Sequence, residues 1–351
     1  MIDEVSRNTG AYNSKKVVVC ILFVLVISIA VIVFYFFDNN TYYISTTTTI
    51  LKNNALNLTI QNISVGNNPG GLAITPDGKY LYVANAGSNT VSVISTANNT
   101  VVNTISVKSE PSYIAITPNG AYAYTVNENN ISIISTSNNT VIKTIKAGKI
   151  PVAIAITSDG KYAYISNYVS NNVSIVALSN STIINTISMG LGPNGLVLSP
   201  NNNYLYVTNL ASDNVSVVST LNDTVVDTIK VGSGPAFPAI TPDGMYVYVP
   251  NYYEMQNTPD VSIISTSNNT VVGTVQVGNN PIAIAFSSDG RYAYVTNYGS
   301  NTVSVISTSN NTVVSTIKVG RNPSSILIAQ NVKSLYVTNS GSDTVSVISV
   351  I

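Results

Sequence analysis

Four aspartates recur at matching positions along the chain, and their spacing is the first place to look for chemistry. Asp77, Asp159, Asp243 and Asp289 each precede a glycine. Carboxylates gathered round one axis could cage a cation or share a proton as an acid–base pair. Asp-Gly is also what a tight hairpin turn uses, because glycine accepts positive φ, and the regular placement favours that reading. The chain has no histidine, and its one cysteine, Cys20, lies in an apolar N-terminal run. Ser-His-Asp and Cys-His catalysis are therefore excluded, and so are thiolate metal sites and an internal disulfide. No catalytic residue, cofactor or metal is expected.

Three other polar sets recur. Asparagines end a Tyr-x-x-Asn motif, from Asn85 to Asn339. They could close the loop that follows them or form a polar ring facing a ligand. Asn-x-Ser/Thr sequons recur in register at Asn98, Asn138, Asn180, Asn222, Asn268 and Asn310, with others at Asn39, Asn57, Asn62, Asn130, Asn172 and Asn214. The first six are candidate N-glycosylation sites. An Asn-Asn turn followed by strand-forming Thr would create the same pattern. Tyrosines cluster in the loops after the motif: Tyr168, Tyr252, Tyr253 and Tyr298, with Glu254 beside them. Exposed tyrosines suit contacts with protein or sugar, so these five are candidate partner-binding residues. Local packing is the competing reading.

These side chains sit in 351 residues with only 9% charged, 15 basic against 15 acidic. Nothing in that balance grips a nucleic-acid backbone. What positions them is a repeat. Tyr82-Val-Ala-Asn85, Tyr124-Thr-Val-Asn127, Tyr164-Ile-Ser-Asn167, Tyr206-Val-Thr-Asn209, Tyr248-Val-Pro-Asn251, Tyr294-Val-Thr-Asn297 and Tyr336-Val-Thr-Asn339 follow one another at spacings of 42, 40, 42, 42, 46 and 42 residues. A proline stands 13 residues before each tyrosine, from Pro69 to Pro323. The sixth unit predicts four strands, Ile282–Phe286, Arg291–Thr296, Thr302–Ser307 and Thr312–Val319, split by Asp-Gly and Asn-Asn turns. Four-stranded units with a period of 40–45 residues predict propeller blades. The fold class is thus all-β, a seven-bladed propeller. The chain stops after a third strand, and Asn57–Ile63 resembles the missing outer strand, so it is expected to close the ring.

Val17 to Phe37 is a 21-residue run without charge, preceded by Arg7, Lys15 and Lys16. A helix of that length spans about 31 Å, enough for the hydrocarbon core. The basic flank places residues 1–16 in the cytoplasm, 17–37 in the membrane as a signal-anchor helix, and all that follows outside the cell. A cleaved signal peptide cut near Ser28-Ile29-Ala30 is the alternative. Residues 38–56, rich in Thr and Asn, read as a tether to a propeller over 57–351.

The recurring Tyr-Val-Thr-Asn motif, the Val-Gly-x-x-Pro lead-in (Val65–Pro69) and the Thr-Pro-Asp-Gly turn (Thr75–Gly78) resemble the YVTN-repeat β-propeller family, including archaeal surface-layer proteins. The resemblance covers about Asn57 to Ile351. It implies a cell-surface protein, mainly non-enzymatic, acting in adhesion, docking or the envelope. Envelope proteins or cell-surface glycans would be its partners, together with the membrane. Lactonase-type propellers are relatives by repeat pattern, so a lactonase- or lyase-like enzyme and a purely structural lattice subunit stand as alternatives. The enzyme would need ionisable residues clustered at the channel mouth. The inner strands expected to line that channel contain no Asp, Glu, Lys, Arg or Cys. Only scattered residues such as Glu110, Glu128 and Asp213 are available near it.

Overall fold

A computed structural model describes residues 48–53, 56–253, 259–329 and 334–350. Among these, 29 strands form seven antiparallel sheets around one axis. Blade one runs Pro69–Ile74, Tyr80–Asn85, Thr90–Ser95 and Thr100–Ser106 from the axis outward. Blades two to six repeat that meander. Blade seven takes Pro323–Ala329, Ser334–Asn339 and Thr344–Val350 from one end of the chain, and Leu56–Ser64 from the other. Leu58 pairs with Val350 and Ser64 with Thr344, so the ring closes by the expected outer strand.

The strands follow from the side chains. Second and third strands carry β-branched and aromatic residues, and in blade one all but their first or last positions are buried. Both faces are covered because each blade packs between two others. Seven apolar clusters fill the seven spaces. One sets Tyr124, Ile131 and Ile133 of blade two against Ile154, Ile165 and Val176 of blade three. The closure space joins Ile63, Tyr336 and Val347 to Leu72, Leu81 and Ile94.

Each motif tyrosine lies in such a space, and several reach across it. Tyr82 donates to Asn139 Oδ1 and Tyr248 to Asn311 Oδ1, each at 2.5 Å, and Tyr336 to Asn99 Oδ1 at 3.1 Å. Burial pushes the Tyr82, Tyr164 and Tyr248 hydroxyls up to about 12 from the ordinary 10.0. Their neutral form is favoured on folding, so the unfolded chain gives up protons first as pH rises. Stability should hold below pH 10 and be lost between pH 10 and 12. Chemical denaturation midpoints across that range, read with tyrosinate absorbance, check this; a midpoint unchanged to pH 12 would contradict it.

Two features depart from the sequence reading. The tether expected over 38–56 carries a strand, Thr48–Asn53, paired antiparallel with Leu56–Ser64 as a fifth strand on blade seven. Blade five has an inner strand of only two residues, Ala239–Ile240. Pro238 there supplies no ladder donor, and the Phe237 N–H turns to Ile282 O of blade six at 2.9 Å. The expected span over 17–37 lies outside the described residues, and no helix among these is long and apolar enough to cross a membrane.

Candidate functional site

The loops after the motif asparagines and the lead-ins before the prolines meet on one face. Tyr168 N donates to Ile150 O at 2.8 Å, Tyr252 N to Gly234 O at 2.9 Å and Tyr298 N to Asn280 O at 2.9 Å. The Pro-Asp-Gly turns and the sequon turns meet on the other, as when Thr96 N donates to Lys79 O at 3.0 Å.

The recurring polar residues resolve as structure. Thr75 Oγ1 and the Lys79 N–H both donate to Asp77 Oδ1, at 2.6 and 3.1 Å, and Gly78 takes φ 69°. The Thr75 hydroxyl holds the Asp77 carboxyl below its usual range, and Thr157 does the same for Asp159. For Asp289 the Ser287 hydroxyl and the Arg291 side chain lower it to about 2. Each motif asparagine closes its own loop: Asn209 Nδ2 donates to Asn214 Oδ1 at 2.7 Å and Ser216 Oγ at 2.8 Å. All seven are buried, which removes the reading as a ring facing a ligand.

The axial channel is plugged at the loop face. Tyr113 of blade two and Phe237 of blade five, each two residues past its blade's proline, stack across the axis with centroids 5.4 Å apart and planes 5° apart. Space for them comes from glycines in neighbouring inner strands. A Cβ on Gly71 would lie 2.7 Å from Tyr113 Cα, and one on Gly195 2.5 Å from Phe237 Cα. Among the described residues no three His, Cys, Asp or Glu side chains come together as metal ligands would.

The loop face carries apolar surface instead. Tyr252 packs edge-on against Tyr253 (centroids 5.4 Å) and Tyr298 (6.2 Å), so three candidate tyrosines form one cluster. Tyr168 stands apart and covers Gly192 of blade four. Only Tyr253 is strongly exposed; the other three are half-buried, and Glu254 lies outside the described residues. The larger signal was not in the tyrosines. Ile150, Val169 and Leu191 are 46%, 48% and 58% exposed, beside Tyr253 at 49%. The first two are tied together, since Val169 N donates to Lys149 O and Tyr168 N to Ile150 O. Ile150 is also strained, with φ 51°. A β-branched residue is rarely held there. The same position is Asn68, Gly192, Gly234, Asn280 or Asn322 in five other blades, residue types that tolerate it, and Glu110 at φ 27° in blade two. An isoleucine and a leucine at turn positions that are otherwise polar or glycine were the available sequence signal.

Fold and site define a closed seven-bladed propeller with a plugged axis and an apolar arc on its loop face. Residues 27–332 match the YNCE-like beta-propeller family, and the chain belongs to it. Among solved structures, Kuenenia stuttgartiensis hydrazine synthase is similar with a TM-score of 0.74 and 23% identity, over 80% of this chain and 95% of that one. That likeness is one of fold. No curated protein matches the chain.

Proposed function

We propose that this propeller is held outside the cell by its N-terminal segment and serves as a non-enzymatic docking module of the surface-layer type. Envelope proteins or cell-surface glycans are its partners. The observation that carries the reading is Ile150, an apolar side chain kept exposed in a left-handed backbone that asparagine or glycine would adopt at lower cost. Strain of that kind is held in place by the surrounding structure and clusters at functional sites. Val169, Leu191 and Tyr253 extend the surface over blades three to five, and the Tyr252–Tyr298 contact carries it to blade six. Loops on a rigid scaffold are where such contacts are made.

Ile150→Asn should raise stability by about 1 kcal/mol by relieving the strain while weakening binding. Leu191→Asp should leave the melting temperature unchanged and cut binding at least about tenfold, as desolvating a charge in an apolar contact would. Both are measured on the soluble fragment from Asn39 onward, against a glycan array and isolated cell envelopes. Binding that neither substitution moves would remove the loop face from the function.

A further inference from the structure

Ten of the twelve sequons have side chains among the described residues, and they fall into groups by position. Asn130, Asn172 and Asn214 are held by the motif asparagines, whose Nδ2 groups donate to their Oδ1 atoms at 2.7–2.8 Å. Asn62 accepts from Ser346 Oγ at 2.8 Å. Asn130, Asn172 and Asn214 are only partly exposed, and Asn98, Asn138, Asn180, Asn222, Asn268 and Asn310 differ from these three. All six are exposed in the turn between third and outer strands. In every one the sequon threonine donates its hydroxyl to the asparagine Oδ1, at 2.7–3.0 Å. Each Nδ2 group is then without a partner among the described residues, as are those of Asn62, Asn130 and Asn172, so exposure is what separates the six from Asn130, Asn172 and Asn214.

Turn chemistry alone does not require asparagine there. The first hairpin turn of each of blades one to six uses a related hydroxyl-to-side-chain bond of opposite order, from a Thr or Ser two residues before the acceptor, which is Asp77, Asn119, Asp159, Asn201, Asp243 or Asp289. Carboxylate and carboxamide serve equally in that bond. At the sequon turn the acceptor is asparagine and the donor threonine in all six blades, while the left-handed residue between them varies among Asn, Ser and Asp.

The outer edges supply a second, independent observation. Each of these six turns leads into an outer strand with two consecutive exposed apolar residues, such as Val101 and Val102 or Ile183 and Ile184. The second of each pair is the extra residue of a bulge, as Val102 is between Val101 and Asn103. Exposed apolar edge strands invite association and are normally covered. Blade seven has no sequon turn, and there the outer strand is covered by Thr48–Asn53. The six edges that lack this covering are the six that follow a sequon turn, whereas the covered strand of blade seven carries Asn57 and Asn62 within it.

We propose that these six asparagines carry N-linked saccharides, forming a collar that shields the outer edges on the face away from the docking arc. The inference rests on the extracytoplasmic placement proposed above. The donor is a saccharide esterified through its C1 to a polyprenyl phosphate or diphosphate. The asparagine Nδ2 forms a bond to C1 as the C1–O bond to phosphate breaks; the phosphate leaves with the bonding pair, and the amide proton passes to a base of the transferase. Nothing is oxidised or reduced.

The test is site-resolved mass spectrometry on the full chain purified from the cells that encode it. The expected result is saccharide at the six turn asparagines and none at Asn130, Asn172 or Asn214. Asn98→Asp keeps an acceptor for the Thr100 hydroxyl but cannot be glycosylated. It should lose one saccharide increment with no change in melting temperature. An intact mass equal to that of the bare polypeptide overturns the collar, and so does saccharide confined to the bonded sequons. Protease treatment of intact cells separates the two readings. A propeller that is cleaved but unmodified overturns the collar alone; one that is protected overturns the external placement as well.

Discussion

A chain that begins at Val65 should not give a monomeric, cooperatively melting propeller. The missing segment, Leu56–Ser64, forms seven pairs with Thr344–Val350 and buries Leu58, Ile60 and Ile63. Full burial of one such side chain stabilises by about 1.5–3 kcal/mol. The three together rival the whole stability of a typical domain, about 5–15 kcal/mol. The loss also bares the edge of a strand whose Val345, Val347 and Ile348 are buried in the closed ring. An open edge of that composition pairs with other chains. A single substitution reports on the same closure without truncation: Ile60→Ala should cost about 2–5 kcal/mol. Val102→Asp, on the exposed outer strand of blade one, should stay within about 0.5 kcal/mol. Circular dichroism melts and size-exclusion chromatography check all three. A truncated chain that elutes as a monomer and melts sharply at the parent temperature would show that the ring does not need its zipper.

That closure was legible because it follows from where a repeat is interrupted. The third strand of blade six matches expectation residue for residue at Thr302–Ser307; the second is shifted by one residue, and the first and fourth differ by one residue at one end. Alternation, turn chemistry and periodicity are local, and here they agree with the global fold. The aspartates and motif asparagines were legible for the same reason, since each bonds within five residues or to the next strand of its own blade. What was not legible depends on differences between equivalent positions. Tyr113 and Phe237 meet across the axis only because the matching positions are Gly71 and Gly195 in adjacent blades. Aligning repeats hides such a contact, because it treats those four residues as variants of one position. The apolar arc was missed in part for the same reason. Tyrosine drew attention by its type, whereas Ile150 and Leu191 are ordinary residues made conspicuous by exposure and, for Ile150, backbone strain.

Asn209→Asp should be among the most damaging substitutions in the molecule, although it changes one atom. The Asn209 amide donates two hydrogen bonds, and its side chain lies against Gly190, where an added Cβ would come within 2.8 Å of its carboxamide carbon. A carboxylate there would face Asn214 Oδ1 acceptor to acceptor in a site closed to water. Leaving such a charge unpaired costs about 3–5 kcal/mol. Asn209→Ala loses the bonds without burying a charge and should cost about 1–3 kcal/mol. The two also part in their response to pH. Burial and the acceptor opposite would raise the new carboxyl above about 3.9, its unfolded value. Between that value and the raised one the folded state binds more protons, so the deficit of Asn209→Asp against the parent should shrink as pH falls. The Asn209→Ala deficit should not move. Denaturation midpoints for parent and both variants at neutral and mildly acidic pH decide the matter. Equal stability of Asn209→Asp and the parent at neutral pH would mean that the motif asparagine does not lock its loop. The Tyr-x-x-Asn motif would then need a reason other than the one it has here, which is to fasten the second strand to the third beneath the loop face.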